Sequence, residues 1–227
     1  MLGSRTSGSE AGKVVRRSVV VLACVLAASA CSGEPQESEA GHLCDVVEDS
    51  PEGAALRQIT GPGEYRTEAY GTSAERAADL TEDLRGRAQG KDTGARTVCA
   101  YVPSQQAKSQ RVRFEANWAP RDAPKEPPLP GGLPFDVNGT SGETSDIASR
   151  LYVPCDLPGD LRPLSDKVWL KASGSFTVNI PREDMDQAAR DRQTALTYLM
   201  ARRITEALGC ENKPLAQAPV VKPVSTP

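Results

Sequence analysis

The segment Lys167–Ile180 reads KVWLKASGSFTVNI, and its apolar side chains recur at every second position. They are Val168, Leu170, Ala172, Phe176, Val178 and Ile180. A period of two is typical of a β-strand with one buried face, because successive side chains point to opposite sides of a sheet. The segment is therefore one long strand or a hairpin around Ser173-Gly-Ser, and in both cases these residues share a face.

Trp169 falls on the other face of this segment, beside Lys171, Thr177 and Asn179. An indole on the polar side of a strand either covers a second, smaller core or contacts a ligand or partner. We expect Trp169 to lie on the sheet face opposite the long helix that follows. We also predict that Trp169, Lys171 and Asn179 border a recognition surface.

The longest predicted helix is Arg182–Leu208, which Pro181 precedes and Gly209 ends. Acidic residues fill its first turn and arginines lie near its end, as the helix dipole favours. Apolar residues recur at helical spacing and predict a face that packs on the core. They are Met185, Ala188, Ala189, Leu196, Leu199, Met200, Ile204, Ala207 and Leu208.

Shorter helices and strands are predicted before the segment 167–180 and the long helix. Ser50 and Pro51 mark the start of one helix, and Thr72 with Glu75 forms a capping box that opens a second. The second helix is predicted to end at about Arg87. Further predicted elements are a hairpin of strands over 96–102 and 111–118 and a short strand over 151–155. The fold class is therefore α+β: an antiparallel sheet with the long helix and smaller helices on one face, in a domain over residues 41–212.

Residues 119–134 contain six prolines and cannot form a helix or a central strand. They predict a polyproline-like crossing or an inter-lobe linker, although a ligand for an SH3-type partner has the same composition. Asn138-Gly-Thr is a turn or a glycosylation sequon. The Pro-rich residues 213–227 are expected to be a disordered tail.

The N-terminus has the organisation of an export signal. Lys13, Arg16 and Arg17 precede an uncharged run over 18–30 that is too short to span a bilayer, and small residues lie directly before Cys31. This pattern resembles the lipobox of bacterial lipoproteins, although Ala28 stands where leucine is usual in that family. A plain signal peptide cut nearby is the alternative, and Arg16-Arg17 leaves both the Sec and the twin-arginine routes open.

The lipobox resemblance implies a signal peptide over residues 1–30 and a diacylglyceryl group on Cys31. Residues 31–40 are polar and acidic and predict a flexible tether. The resemblance thus implies a protein that is lipid-anchored to the outer face of the cell membrane, with the membrane as a partner.

Four cysteines remain after Cys31, and an even number in an exported chain indicates disulfides. Three connectivities are possible, and we predict Cys44–Cys99 and Cys155–Cys210 because each pair brackets one strand–helix unit. A zinc site is disfavoured because no CxxC or CxxH is present. The equal spacing of the two pairs hints at an internal duplication.

The composition argues against several classes of function. The chain beyond residue 30 is mildly acidic, which disfavours nucleic-acid binding. The only histidine is His42, and no nucleophile, phosphate-binding or metal motif accompanies it, so we expect no metal, no cofactor and no enzymatic activity. Carboxylates paired by folding remain a route to hydrolysis, and the acids at Glu183, Asp184 and Asp186 are explained by the helix dipole.

The pattern Cys-helix-strand-Cys-x-Tyr over Cys44–Tyr101 is similar to that of small disulfide-paired envelope lipoproteins of actinobacteria. The resemblance implies a non-catalytic binding or accessory role in the cell envelope, with an envelope protein or a small ligand as partner. The alternative is a secreted, envelope-modifying hydrolase that uses acidic residues.

Overall fold

In a computed structural model of the 227-residue chain, the described residues are 41–61, 63–104, 110–122, 126–178 and 185–224. The signal and tether predicted over residues 1–40 lie outside these ranges, and so do Cys31 and Asn179.

Within these ranges, eight strands form one sheet in the order β1-β2-β3-β7-β6-β5-β4-β8, with every neighbouring pair antiparallel. The strands are β1 Tyr65–Ala69, β2 Arg96–Pro103, β3 Arg111–Pro120, β4 Leu133–Val137, β5 Thr140–Thr144, β6 Ala148–Val153, β7 Val168–Thr177 and β8 Val221–Pro223. Strand β7 follows β2–β6 in the chain but lies between β3 and β6 in the sheet, so it joins the β2–β3 hairpin to the β4–β6 meander.

The helices of the described part are α1 Pro51–Thr60, α2 Ser73–Ala88, the short α3 Arg162–Ser165 and α4 Gln187–Leu208. The long helix α4 packs on β6 and β7, and α1 and α2 pack beside it. The Trp118 indole N–H of β3 donates a hydrogen bond of 2.7 Å to the Leu80 carbonyl of α2. The helices thus cover one face of an antiparallel sheet, which confirms the predicted fold class.

The strand β7 is continuous and lies in the middle of the sheet. Of the two alternatives for this segment, the single strand is therefore confirmed and the hairpin around Ser173-Gly-Ser is wrong. Its backbone pairs with β3 on one side and with β6 on the other, which fixes all three of these residues in extended conformation. Gly174 is required by packing, since a Cβ there would lie 2.5 Å from Thr197 Oγ1 of α4. A glycine within a strand here marks the close approach of a helix.

The predicted start of α4 at Arg182 is wrong. The helix begins at Gln187, because the Asp186 side chain accepts a hydrogen bond from the Ala189 N–H and caps it, which leaves Met185 outside. The predicted end is confirmed: Gly209 adopts the left-handed conformation with φ of 70°. Asp186, which was predicted to lie in the first helical turn, is instead the N-cap residue of α4.

Local signals elsewhere predicted the elements correctly. Ser50 caps α1 with Pro51 in its first turn, and Thr72 and Glu75 form the capping box of α2. The β2–β3 hairpin is confirmed by its register. Asn138-Gly139 joins β4 to β5 as a turn, with positive φ at both residues.

The prediction of a disordered tail over residues 213–227 is wrong for residues 213–224, the part of the tail that the structure describes. Val221–Pro223 forms β8 along the edge of β4, and the Asn138 side chain donates a hydrogen bond of 2.7 Å to the Ala218 carbonyl. Proline is compatible with this position because an edge strand does not need every backbone donor.

Both predicted disulfides are present. Cys44–Cys99 ties the segment before α1 to β2, and Cys155–Cys210 ties the end of β6 to the end of α4. The described helices include none that is long and apolar enough to cross a membrane.

Candidate functional site

The face of the sheet opposite the helices, which we call the outer face, carries polar and charged side chains. The side of β7 that contains Gly174 meets α4, so the odd-numbered residues of β7 and their strand partners face outward. Outer-face residues include Arg113 and Glu115 of β3, Lys171 and Ser173 of β7, Arg150 and Tyr152 of β6, and Ser141 and Glu143 of β5.

The Pro-rich stretch between β3 and β4, which the structure describes at residues 121–122 and 126–132, lies against this face, and we call it the strap. Its described residues contact side chains from β7, β6 and β5 in turn. Glu126 forms ion pairs with Lys171 and Arg150, and the Leu129 N–H donates a hydrogen bond of 2.9 Å to Glu143. The ends of the crossing predicted over 119–134 belong to β3 and β4.

Arg150 is the centre of the contacts between strap and sheet. Its Nη1 donates to Glu126 at 2.8 Å, while its Nη2 donates to Glu143 at 2.6 Å and to the Pro127 carbonyl at 3.0 Å. The side chain is only 8% exposed. A buried cation needs such partners, because removing it from water without them is costly.

The acidic partner of this cluster is held ionised. Burial raises the pKa of Glu126, but the hydrogen bond and charge of Lys171, followed by those of Arg150, bring it below the ordinary value. Burial also raises the pKa of Tyr152, which lies beside Arg150, so this phenol is neutral at physiological pH.

A cleft of about 350 Å³ opens between the strap and strands β4–β6. Its apolar walls are Pro128, Pro134, Phe135 and Val224. Its polar groups are Glu126, Ser141, Glu143, Arg150 and Tyr152. An apolar cleft with a few convergent polar groups is the usual form of a small-ligand site.

The structure places Trp169 on the outer face, as predicted. Its ring is half-buried, and the Arg121 guanidinium lies 4.3 Å from the ring centre, where it makes a cation–π contact. Arg121 Nε also donates a hydrogen bond of 2.9 Å to the Val168 carbonyl. Trp169 is therefore packed at the point where the strap leaves β3, and its role in recognition stays a prediction.

Lys171, the second residue of the predicted surface, is brought into the cleft region through its ion pair with Glu126. No sequence pattern predicted Glu126, Glu143, Arg150 or Tyr152 as site residues. The alternation of β6 could have identified Arg150 as outward-facing, but no spacing in the sequence connects residue 126 with residues 150 and 171.

The other reactive groups named from the sequence have structural roles wherever the structure describes them, and Glu183 and Asp184 lie outside the described residues. His42 Nδ1 donates a hydrogen bond of 2.8 Å to the Gly71 carbonyl, and nearby Cys44 is in a disulfide. Asp186 is a helix cap. The described part of the chain contains no group of three or more His, Cys, Asp or Glu residues placed to hold a metal ion.

Comparison with known proteins gives no relative: no family model, no curated protein and no solved structure matches this chain.

Proposed function

We propose that the chain is a lipid-anchored extracytoplasmic binding protein that holds its ligand in the cleft beneath the strap. The observation that carries the binding role is the cleft itself, which has apolar walls and a charged end. The lipobox pattern ending at Cys31 supports the anchor, and two disulfides are compatible with an oxidising compartment outside the cytoplasm.

The charge state of the cleft supports binding over hydrolysis. A general acid needs a raised pKa to hold its proton at neutral pH. The pKa of Glu126 is lowered, and Glu143 is paired with Arg150 at 2.6 Å. These carboxylates fit the role of fixed charges that orient other groups.

Filling the cleft tests the binding role. Ser141 is exposed at the cleft, so Ser141→Trp should occupy ligand space while leaving the core unchanged. Native mass spectrometry of the full chain, purified from membranes in mild detergent, should detect a bound ligand on the wild type and its loss in Ser141→Trp.

Ser104→Trp is the matched control, because Ser104 is an exposed turn residue after β2 and lies outside this cleft. It should retain the ligand. A wild-type chain without bound ligand, or equal occupancy in both variants, would contradict the proposed function.

A further inference from the structure

Glu126 differs in exposure from the two cations that hold it. Its side chain is 45% exposed, whereas those of Lys171 and Arg150 are 11% and 8% exposed. The cations belong to central strands, and the carboxylate belongs to the strap. The buried half of this ion-pair cluster is therefore built into the sheet, and the accessible half comes from a connecting segment.

The sheet fixes the backbone positions of both cations independently of Glu126. Lys171 of β7 is paired in register with Tyr152 of β6, and Arg150 lies two residues earlier on the same strand and face. Glu143 of β5 holds Arg150 Nη2. Without Glu126 these groups would carry one uncompensated positive charge in a buried position, which favours binding of an anion.

The geometry of the pair suits a carboxylate. Lys171 Nζ donates to Oε1 of Glu126, and Arg150 Nη1 donates to Oε2 at 2.8 Å, so each cation takes one oxygen of the same planar group. Charge-assisted hydrogen bonds of this kind are the strong ones in proteins. Glu126 and Arg150 also line the cleft, so the site opens onto the apolar walls at its Arg150 end.

We propose that Lys171 and Arg150 form a carboxylate-binding site that Glu126 occupies in the free protein. A ligand with one carboxylate and an apolar body displaces the Glu126 side chain, pairs with both cations and places its body against Pro128, Pro134 and Phe135. This inference rests on the proposed function, for which it names the class of ligand.

The test compares phenylacetate with the uncharged phenylacetamide as probes of the purified full chain, with affinities measured by NMR titration. Glu126→Gln removes the internal competitor and should bind phenylacetate about tenfold more tightly than the wild type, because apparent affinity rises with the fraction of competent sites. Phenylacetamide should bind neither chain detectably. Adding Lys171→Met to Glu126→Gln should abolish the gain.

Glu115→Gln is the matched control, because it removes an outer-face carboxylate paired with Arg113 and away from the cleft. It should bind phenylacetate as the wild type does. Equal phenylacetate affinity in wild type and Glu126→Gln, with both chains folded by circular dichroism, would overturn the inference. Glu126→Ala gives a second chain without the competitor should Glu126→Gln misfold.

The two proposals fail separately. A ligand that co-purifies and is lost in Ser141→Trp, combined with no effect of Glu126→Gln on phenylacetate, would leave the binding function standing and reject the carboxylate site.

Discussion

Cys31 is chemically distinct from the four cysteines that follow it. Those four form the bridges Cys44–Cys99 and Cys155–Cys210, so their sulfurs are not available for lipidation. The lipobox resemblance implies that the sulfur of Cys31, at the end of a short apolar run, carries the diacylglyceryl group.

Cys31→Ser should therefore abolish incorporation of labelled palmitate and release the chain from the membrane fraction. Two or more acyl chains give stable anchoring that a single chain does not. Cys24→Ser is the control and should label normally, since Cys24 lies within the predicted signal. Equal label in native chain and Cys31→Ser would refute the anchor.

Single residues were predictable from the sequence where the signal is local. Alternation alone put Trp169 and Lys171 on the face away from α4. The ion pairs of Glu126 with Lys171 and Arg150 were not predictable, because they depend on which strands become neighbours in the sheet.

The end of an element was predictable where a chemical signal marks it, as the capping box marks the start of α2 and Gly209 marks the end of α4. The start of α4 was misplaced because several acids precede it and only the structure shows that Asp186 caps. The short strands β1 and β8 carry no strong alternation and owe their conformation to pairing with β2 and β4.

The contact between α4 and β7 gives a prediction at this scale. Gly174→Ala would place a Cβ 2.5 Å from Thr197 Oγ1 and 2.8 Å from the Phe176 ring, and Thr197 Oγ1 is held by its hydrogen bond to the Gln193 carbonyl. Overpacking of this kind should lower the free energy of unfolding by about 1–3 kcal/mol. Thermal denaturation followed by circular dichroism should show a Tm several degrees lower.

Gly94→Ala is the control, because nothing lies within 4 Å of a Cβ there, and its Tm should stay near that of the wild type. Combining Gly174→Ala with Thr197→Ala should recover part of the loss, since contacting residues are not additive. A Gly174→Ala chain as stable as the wild type would mean that α4 does not approach β7 as described.

At the scale of the molecule, the sheet is assembled from distant parts of the chain. The strand β7 pairs with β3 and β6, so it closes the gap between segments that the strap separates in sequence. Pairings of this kind are set by global packing and have no local signature. The fold class was therefore predictable, while the strand order and the cleft it creates were not.

We expect the outer-face cleft beneath the strap to be the place where this protein binds its proposed ligand in the cell. A photoreactive benzophenone side chain in place of Ser141, irradiated in intact cells, tests it most directly by the adducts found on the purified chain. We expect a light-dependent adduct from position 141 and none from the same side chain in place of Ser104. No adduct from position 141, or the same adducts from both positions, would contradict it.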